Sequence, residues 1–151
     1  MLGLFFYAAG SFVVAMVLTF LYSMFRTVKA RDEYKSWKVL AIFSVVVFGG
    51  PYGYNEYLTR RFAGDMKQAV LDGIDDAGIT GQLNYFKVIS AKNNTVRVIA
   101  VATEQQGWGG TERPVLAITL KKDKKGWRSD TYLVVNSISR NADSYTFPPY
   151  Y

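Results

Sequence analysis

Two stretches near the start of this chain carry no charged side chain, and they constrain the fold more than any other feature. The first covers residues 1–25 and the second covers residues 39–55. A helix of about 20 apolar residues, rising about 1.5 Å per residue, crosses the roughly 30 Å hydrocarbon core of a bilayer. The charge distribution therefore predicts a transmembrane hairpin of two helices over residues 1–54.

The two predicted spans differ in how strongly their length supports them. Residues 2–25 are long enough to cross, and no lysine or arginine precedes them, which favours a span over a signal peptide. Residues 37–54 lie at the short end of the spanning range. Trp37 at one end and Tyr52 and Tyr54 at the other carry amphipathic rings that prefer the headgroup region. Lys38 can extend its ammonium towards water. These ends favour a span over a buried core helix or a re-entrant segment.

The loop at residues 26–38 predicts the orientation of the chain in the membrane. Its acidic residues are Asp32 and Glu33, and its basic residues are Arg26, Lys29, Arg31, Lys35 and Lys38. Short basic loops stay on the cytoplasmic side. We therefore expect a protein integral to the cytoplasmic (inner) membrane, with the N-terminus and the C-terminal domain outside, in the periplasm of a Gram-negative cell. Arg60 and Arg61, beyond the second span, weaken this bias slightly.

Residues 55–143 are predicted to form an extracytoplasmic α+β domain that begins with an amphipathic helix. Gly49, Gly50 and Pro51 are expected to bend or interrupt the preceding helix, because proline lacks an N–H and clashes with the previous turn. Apolar residues then follow at helical spacing, which predicts a second helix that ends near Gly73 or Gly78. Its stripe is expected in a protein core rather than on lipid and consists of Leu58, Phe62, Met66, Ala69 and Val70.

A sheet is predicted after this helix. The β-rich stretches are residues 82–91, 95–104, 114–122 and 127–137, separated by turns at 92–94 and 123–126 and by a glycine-rich loop at 105–112. Imperfect alternation in the second stretch indicates that both of its faces are partly covered. One helix on a four-stranded antiparallel meander gives an α+β roll, similar in layout to cystatin-like and NTF2-like folds. No motif assigns the chain to a family.

The composition removes most of the groups that catalysis uses. The chain has no cysteine and no histidine, so it lacks thiolate nucleophiles, imidazole bases and the commonest zinc ligands. The acidic group Asp72, Asp75 and Asp76 lacks the ligand spacing of a calcium loop and is expected to be solvated. The net charge of +6 is too diffuse for a nucleic-acid interface. We predict no enzyme, no metal, no cofactor, no nucleic acid and no small-molecule substrate.

Three exposed features are candidates for contact with a partner or a membrane. Trp108, in the loop at residues 105–112, either anchors a contact or folds over the sheet edge. The basic turn at residues 121–125 could touch anionic lipid or an acidic partner, although a solubilising role is favoured. The tail at residues 144–151 is aromatic and proline-rich, and it is expected to pack on its own domain or on a neighbouring subunit. The tail also fits a PPxY ligand of WW domains, and residues 93–95 fit a glycosylation sequon, but each requires a eukaryotic setting.

These features lead to a functional hypothesis based on contact. We expect a non-catalytic accessory, assembly or scaffold subunit of a larger inner-membrane complex, bound to integral-membrane subunits in a hetero-oligomer and to the lipid bilayer. The alternative is a membrane-anchored binding domain for a lipid, peptide or cell-wall ligand, held in a groove between helix and sheet; an adaptor that presents the PPxY tail is a third possibility. Small residues predict close helix contact in the first span: Ala8, Ala9, Gly10, Ser11 and Ala15. The predicted contact residues are Trp37, Lys38, Tyr52, Tyr54, Trp108, Phe147, Tyr150 and Tyr151.

Overall fold

The computed structural model describes residues 2–25, 35–107 and 109–142. Two helices and five strands follow one another along the chain: α1 (Leu2–Met24), α2 (Ser36–Asp76), β1 (Gln82–Lys92), β2 (Thr95–Gln105), β3 (Thr111–Glu112), β4 (Val115–Asp123) and β5 (Gly126–Asn136). Among the described residues, the chain divides into a first unit that ends at Gly53 and a second unit that begins at Tyr54.

The first unit is a helical hairpin that packs along one stripe of α1. Every fourth residue of α1 is less exposed than its neighbours, which gives the stripe Gly3, Tyr7, Ser11, Ala15, Thr19 and Ser23. The hydroxyl of Tyr7 donates a hydrogen bond of 2.8 Å to the carbonyl of Phe48 in α2, and the two rings lie 5.2 Å apart. Small side chains on such a stripe let two helices approach closely. Ala8, Ala9 and Gly10 of the predicted small set are exposed instead.

Both helices are long and apolar enough to cross a membrane. In the most apolar 18-residue stretch of α1 only 11% of the residues are buried, and in the corresponding stretch of α2 none are. The core helix of a soluble protein would bury most of such a window, because exposed apolar surface in water costs free energy in proportion to its area. The hairpin therefore fits a membrane protein.

The second helix runs through Pro51 without a break, so of the bend or interruption predicted at residues 49–51 the interruption is wrong. The φ angle of proline is compatible with a helix, and its ring removes one backbone hydrogen bond and crowds the preceding turn. Gly49, Gly50 and Gly53 surround it, and a Cβ at any of these would meet nothing within 4 Å. The backbone has room to relieve the crowding, and the two predicted helices form one.

A glycine cap ends α2 at Gly78, the second of the two helix ends that the sequence predicts. Gly78 has a φ of +68°, its N–H donates to the carbonyl of Asp75, and the N–H of Ile79 donates to the carbonyl of Ile74. This pair of bonds is the Schellman motif, which satisfies carbonyls at the helix end and brings an apolar residue back onto the helix. Ile74 and Ile79 accordingly meet in one core cluster.

The sheet of the second unit is antiparallel, and its long strands pair in the order β1-β2-β4-β5, as a meander. It has five strands rather than four, because β3 in the glycine-rich loop pairs with Glu104 and Gln105 at the end of β2. Alternate side chains of β2 and β4 face α2. The main core combines them with the predicted apolar stripe of α2: Leu58, Met66, Ala69 and Val70 pack with Val96, Val98, Ala100, Leu116, Ile118 and Leu120.

Gly73 and Gly64 provide a test of how α2 packs on the sheet. A Cβ at Gly73 would lie 2.9 Å from Cγ2 of Ile118 and 3.0 Å from Oγ of Ser129, whereas one at Gly64 would meet nothing within 4 Å. We expect Gly73→Ala to destabilise the domain by about 1–3 kcal/mol through overpacking. Gly64→Ala should stabilise it by about 0.5–1 kcal/mol through its better helix propensity. Urea unfolding of both variants in detergent, followed by circular dichroism, measures the difference. Equal effects would contradict the packing described here.

Candidate contact surfaces

The sheet has a second face, opposite to α2, and its centre is apolar. Its buried residues form a cluster of their own: Ile99, Val101, Val115, Ala117 and Val135, with Ile89 packed against them. A sheet covered by helix on one side and by water on the other usually alternates apolar and polar side chains. Here β2 is buried on both faces, as its imperfect alternation predicts. We call these residues, with Tyr85 and Leu133, the second face.

Two large side chains extend the second face into solvent. Tyr85 pairs with Val101, and Leu133 pairs with Ala117, and residues directly opposite one another on neighbouring strands share a face. Tyr85 is 44% exposed and Leu133 is 41% exposed. Aromatic residues are enriched at protein interfaces relative to the rest of the surface, so Tyr85 makes the second face a candidate contact surface.

A second distinct feature is a polar cluster at the far end of β2, which we call the carboxylate clasp. It consists of Glu104, Glu112 and the segment of residues 137–140 that follows β5. The Glu112 carboxylate accepts hydrogen bonds from the side chains of Gln106, Ser137 and Ser139 and from the N–H groups of Ile138 and Ser139. Both glutamates are buried.

Glu104 holds the same segment through Arg140. The guanidinium donates from Nη1 to Oε2 over 2.7 Å and from Nη2 to Oε1 over 3.2 Å, which is a two-pronged ion pair. Nη2 also donates to the carbonyl of Gly78 over 2.9 Å, so the segment is tied to the cap of α2. Thr80 donates to Glu104 from its N–H and its hydroxyl. The clasp therefore connects the helix end, β2, β3 and the segment after β5.

The ionisation of the two glutamates follows from these contacts. Burial by itself raises the pKa of Glu112, but the hydrogen bonds from Ser137, Ile138 and Ser139 outweigh it and lower the pKa from 4.5 to about 2. The hydrogen bond from Arg140 lowers the pKa of Glu104, and the same contact raises the pKa of Arg140. Both carboxylates are anions at neutral pH and both have their oxygens engaged. This chemistry holds a chain segment in place rather than exchanging protons with a substrate.

Acid should weaken the clasp in a defined window. Between pH 4.5 and about 2 the Glu112 carboxylate stays ionised in the folded domain while its unfolded counterpart takes up a proton. The stability that Glu112 contributes is therefore fully present above pH 4.5 and is lost as pH falls towards 2. Glu112→Gln should cost about 2–3 kcal/mol at neutral pH, because several donors lose a charged acceptor. It should also flatten the pH dependence across this window.

Urea unfolding of the full chain in detergent, repeated across this pH window, measures both effects. Glu56→Gln is the matched control, since Glu56 is exposed and, among the described residues, forms its ion pair with Arg60 one helical turn away; we expect it to cost less than about 0.5 kcal/mol. An unchanged pH slope in Glu112→Gln would show that another group carries the acid sensitivity.

Two open grooves lie on the second unit. The first, of about 370 Å³, is lined by Tyr54, Tyr57, Leu58, Arg61, Phe62, Ala91, Asn93, Val96 and Trp127. Arg61 lies 3.4 Å from the hydroxyl of Tyr57, and the ammonium of Lys122 lies 5.6 Å from the Trp127 ring centre. We call this the aromatic groove. The second, of about 450 Å³, lies beside the clasp and is lined by Thr80, Gly81, Gln82, Thr103 and Gln105.

The structure places the predicted contact residues in different environments. Trp37 and Tyr54 are exposed, and the Lys38 ammonium lies 5.8 Å from the Trp37 ring centre. Tyr52 is half-buried and its ring packs 5.9 Å from that of Tyr7. Lys35 is exposed. The remaining predicted residues lie outside the described part of the chain: Arg26, Lys29, Arg31, Trp108, Phe147, Tyr150 and Tyr151.

Sequence reasoning missed the clasp and did not single out the second face. The clasp has little local signal, since most of its contacts join residues that are 24 or more positions apart, such as Glu104 with Thr80 or with Arg140. The second face did leave a signal, because both alternating sets of residues 115–120 are largely apolar. Comparison with protein-family models, with curated proteins and with solved structures finds no match to this chain.

Proposed function

We propose that this protein is a non-catalytic accessory, assembly or scaffold subunit of a larger inner-membrane complex. The second face carries this proposal. It exposes Tyr85 and Leu133 around a buried apolar cluster, on the side of the sheet that α2 leaves free. Covering Tyr85 and Leu133 with a partner removes their exposed apolar area from water at a gain of about 25 cal/mol per Å². The partner we propose is a larger integral-membrane subunit with a matching apolar surface outside the bilayer.

The helical hairpin supports the same role within the membrane. Apart from its packing stripe, most of α1 is exposed, including Phe5, Phe6 and Phe20. In a bilayer these side chains face lipid or the helices of a neighbouring subunit, and the two alternatives differ little in hydrophobic free energy. The hairpin can therefore insert alone and associate later, as expected of an accessory subunit.

Leu133 and Tyr132 allow a matched test of the second face. They are neighbours of nearly equal exposure, 41% and 39%, but they point to opposite faces, since Tyr132 pairs with the core residue Ile118. We expect Leu133→Glu to abolish stoichiometric co-purification with larger membrane proteins from mild detergent, because it places a charge in the interface. Tyr132→Glu should retain it.

Melting temperatures of both variants serve as the folding control for this test. A wild-type chain that purifies as a monodisperse monomer would overturn the proposed function. Equal loss in both variants would overturn the assignment of the second face.

The proposed orientation is N-terminus and domain outside, with the loop at residues 26–38 in the cytoplasm. The chain has no cysteine, so single cysteines can be introduced without background. In intact cells, a membrane-impermeant maleimide should label Lys124→Cys in the domain and leave Lys35→Cys in the loop unlabelled until the membrane is permeabilised. The reverse pattern would contradict this orientation.

The alternative function is a membrane-anchored binding domain for a lipid, peptide or cell-wall ligand. The space between α2 and the sheet is filled by Met66, Val70 and Ile118, all of which are fully buried. A ligand would therefore use the aromatic groove at the rim, where Tyr57, Arg61 and Trp127 offer both apolar surface and a cation. This groove is the observation that favours the alternative.

A further inference from the structure

The charges of the second unit are separated between its two ends. One end carries eight basic side chains, Arg60, Arg61, Lys92, Lys121, Lys122, Lys124, Lys125 and Arg128, against three acidic ones, Glu56, Asp123 and Asp130, a net +5. The described remainder of this unit has five basic and six acidic side chains, a net −1. Two of the acidic residues, Asp75 and Asp76, lie at the end of α2. The positive end is therefore a local property that the total charge does not reveal.

The strand register explains why these cations lie together. Thr95 pairs with Lys121, and the N–H of Lys122 donates to the carbonyl of Asn94 over 2.8 Å. The β1–β2 turn and the β4–β5 turn thus lie side by side. The aromatic groove adds Tyr54 and the first turns of the domain part of α2 to the same end. We call this set of two turns and groove the basic end.

Five cations of the basic end have no ion pair among the described residues. The other three are paired: Lys121 with Asp130 at 2.9 Å, Arg128 with Asp123 at 3.5 Å and Arg60 with Glu56 at 2.9 Å. The unpaired ones are Arg61, Lys92, Lys122, Lys124 and Lys125, all exposed. Unpaired cations that face one direction create a potential that attracts anions.

Aromatic rings with polar tips lie among these cations. Tyr54 and Tyr57 are each 57% exposed, and Trp127 is half-buried beneath Lys122. Tyrosine and tryptophan concentrate at the level of lipid headgroups, because one side of each ring is apolar and the other forms hydrogen bonds. Lysines close to a surface of anionic lipid are attracted to its headgroups by the negative surface potential. The basic end combines both properties.

We propose that the basic end binds the anionic phospholipid headgroups of the bilayer that the chain's own helices cross. Chain connectivity selects this ligand. Tyr54 follows Gly53 directly, and a helix rises only about 5 Å between residues 54 and 57, which is within the Debye length of about 8 Å at physiological ionic strength. The start of the groove therefore lies within reach of the membrane surface potential. This inference rests on insertion of the hairpin and not on the proposed accessory role.

Spin labels in nanodiscs test the proposal with the full chain. A nitroxide on Asn94→Cys reports from the basic end, and one on Thr111→Cys, on the exposed strand β3 at the other end of β2, is the control. Nanodiscs contain phosphatidylcholine alone or mixed with phosphatidylglycerol.

At residue 94, phosphatidylglycerol should raise the accessibility ratio of lipid-soluble oxygen to a water-soluble nickel complex by about twofold or more. About 1 M salt should reverse this change, because the Debye length falls to about 3 Å. Residue 111 should not respond.

Charge variants separate the basic end from overall charge. The test variant removes four of its unpaired cations: Lys92→Gln, Lys122→Gln, Lys124→Gln and Lys125→Gln. The matched control removes four cations elsewhere on the domain: Lys67→Gln, Lys87→Gln, Arg97→Gln and Arg113→Gln. The test variant should lose the response to phosphatidylglycerol, and the control should keep it.

Three outcomes would overturn the proposal. These are an identical ratio at residue 94 in both lipid mixtures, a response that persists in the test variant, and a response abolished by inorganic phosphate at constant ionic strength. The last would identify a site for a soluble anion. Each outcome leaves co-purification with a partner unaffected, so failure here differs from failure of the proposed function.

Discussion

The second unit depends on one packing contact, the burial of the apolar stripe of α2 against one face of the sheet. Gly73 lets the helix approach β4 closely enough to touch Ile118, and the Schellman cap at Gly78 turns the chain so that Ile79 enters the same core. β1 then starts beside Thr103 of β2. Among the described residues of the second unit α2 is the one helix, so it covers one sheet face and leaves the second face without a helix. The second face, on which the proposed function rests, exists because α2 covers only the other face of the sheet.

Local patterns predicted most of this fold. Charge-free stretches identified both apolar helices, and turn residues placed the long strands to within a few positions, because both signals are written in neighbouring residues. The apolar stripe from Leu58 to Val70 was assigned to the core, and it lies there. The prediction that failed was the interruption of the helix at Pro51, where a local preference competes with the surrounding structure. Pro51 disfavours a helix locally, yet α2 continues through it, with helical turns on both sides.

The candidate sites were less predictable because they depend on contacts between distant parts of the chain. Nothing near Glu112 in sequence indicates that it accepts five hydrogen bonds, four of them from the segment that contains Ser137 and Ser139. The second face was visible only in part: the sequence has apolar residues at both alternating sets of positions in β4. Which of the two sets faces away from α2 depends on where α2 packs, and only the structure specifies that. The clasp and the second face differ in role, since the clasp holds residues 137–140 in place and the second face is a candidate contact surface.

The basic end and the proposed orientation have to be compatible, because positive charge near a span usually marks the cytoplasmic side. That rule counts lysine and arginine in short loops and within about 15–20 residues of a span, and folded domains cross largely regardless of charge. Lys92 and the lysines of the β4–β5 turn lie far beyond this distance along the chain. Within it lie Arg60, Arg61 and Lys67, against five basic residues in the loop at residues 26–38. Under the proposal, the cations that meet the headgroups are too distant in sequence to affect insertion, so a domain outside can still carry a basic end.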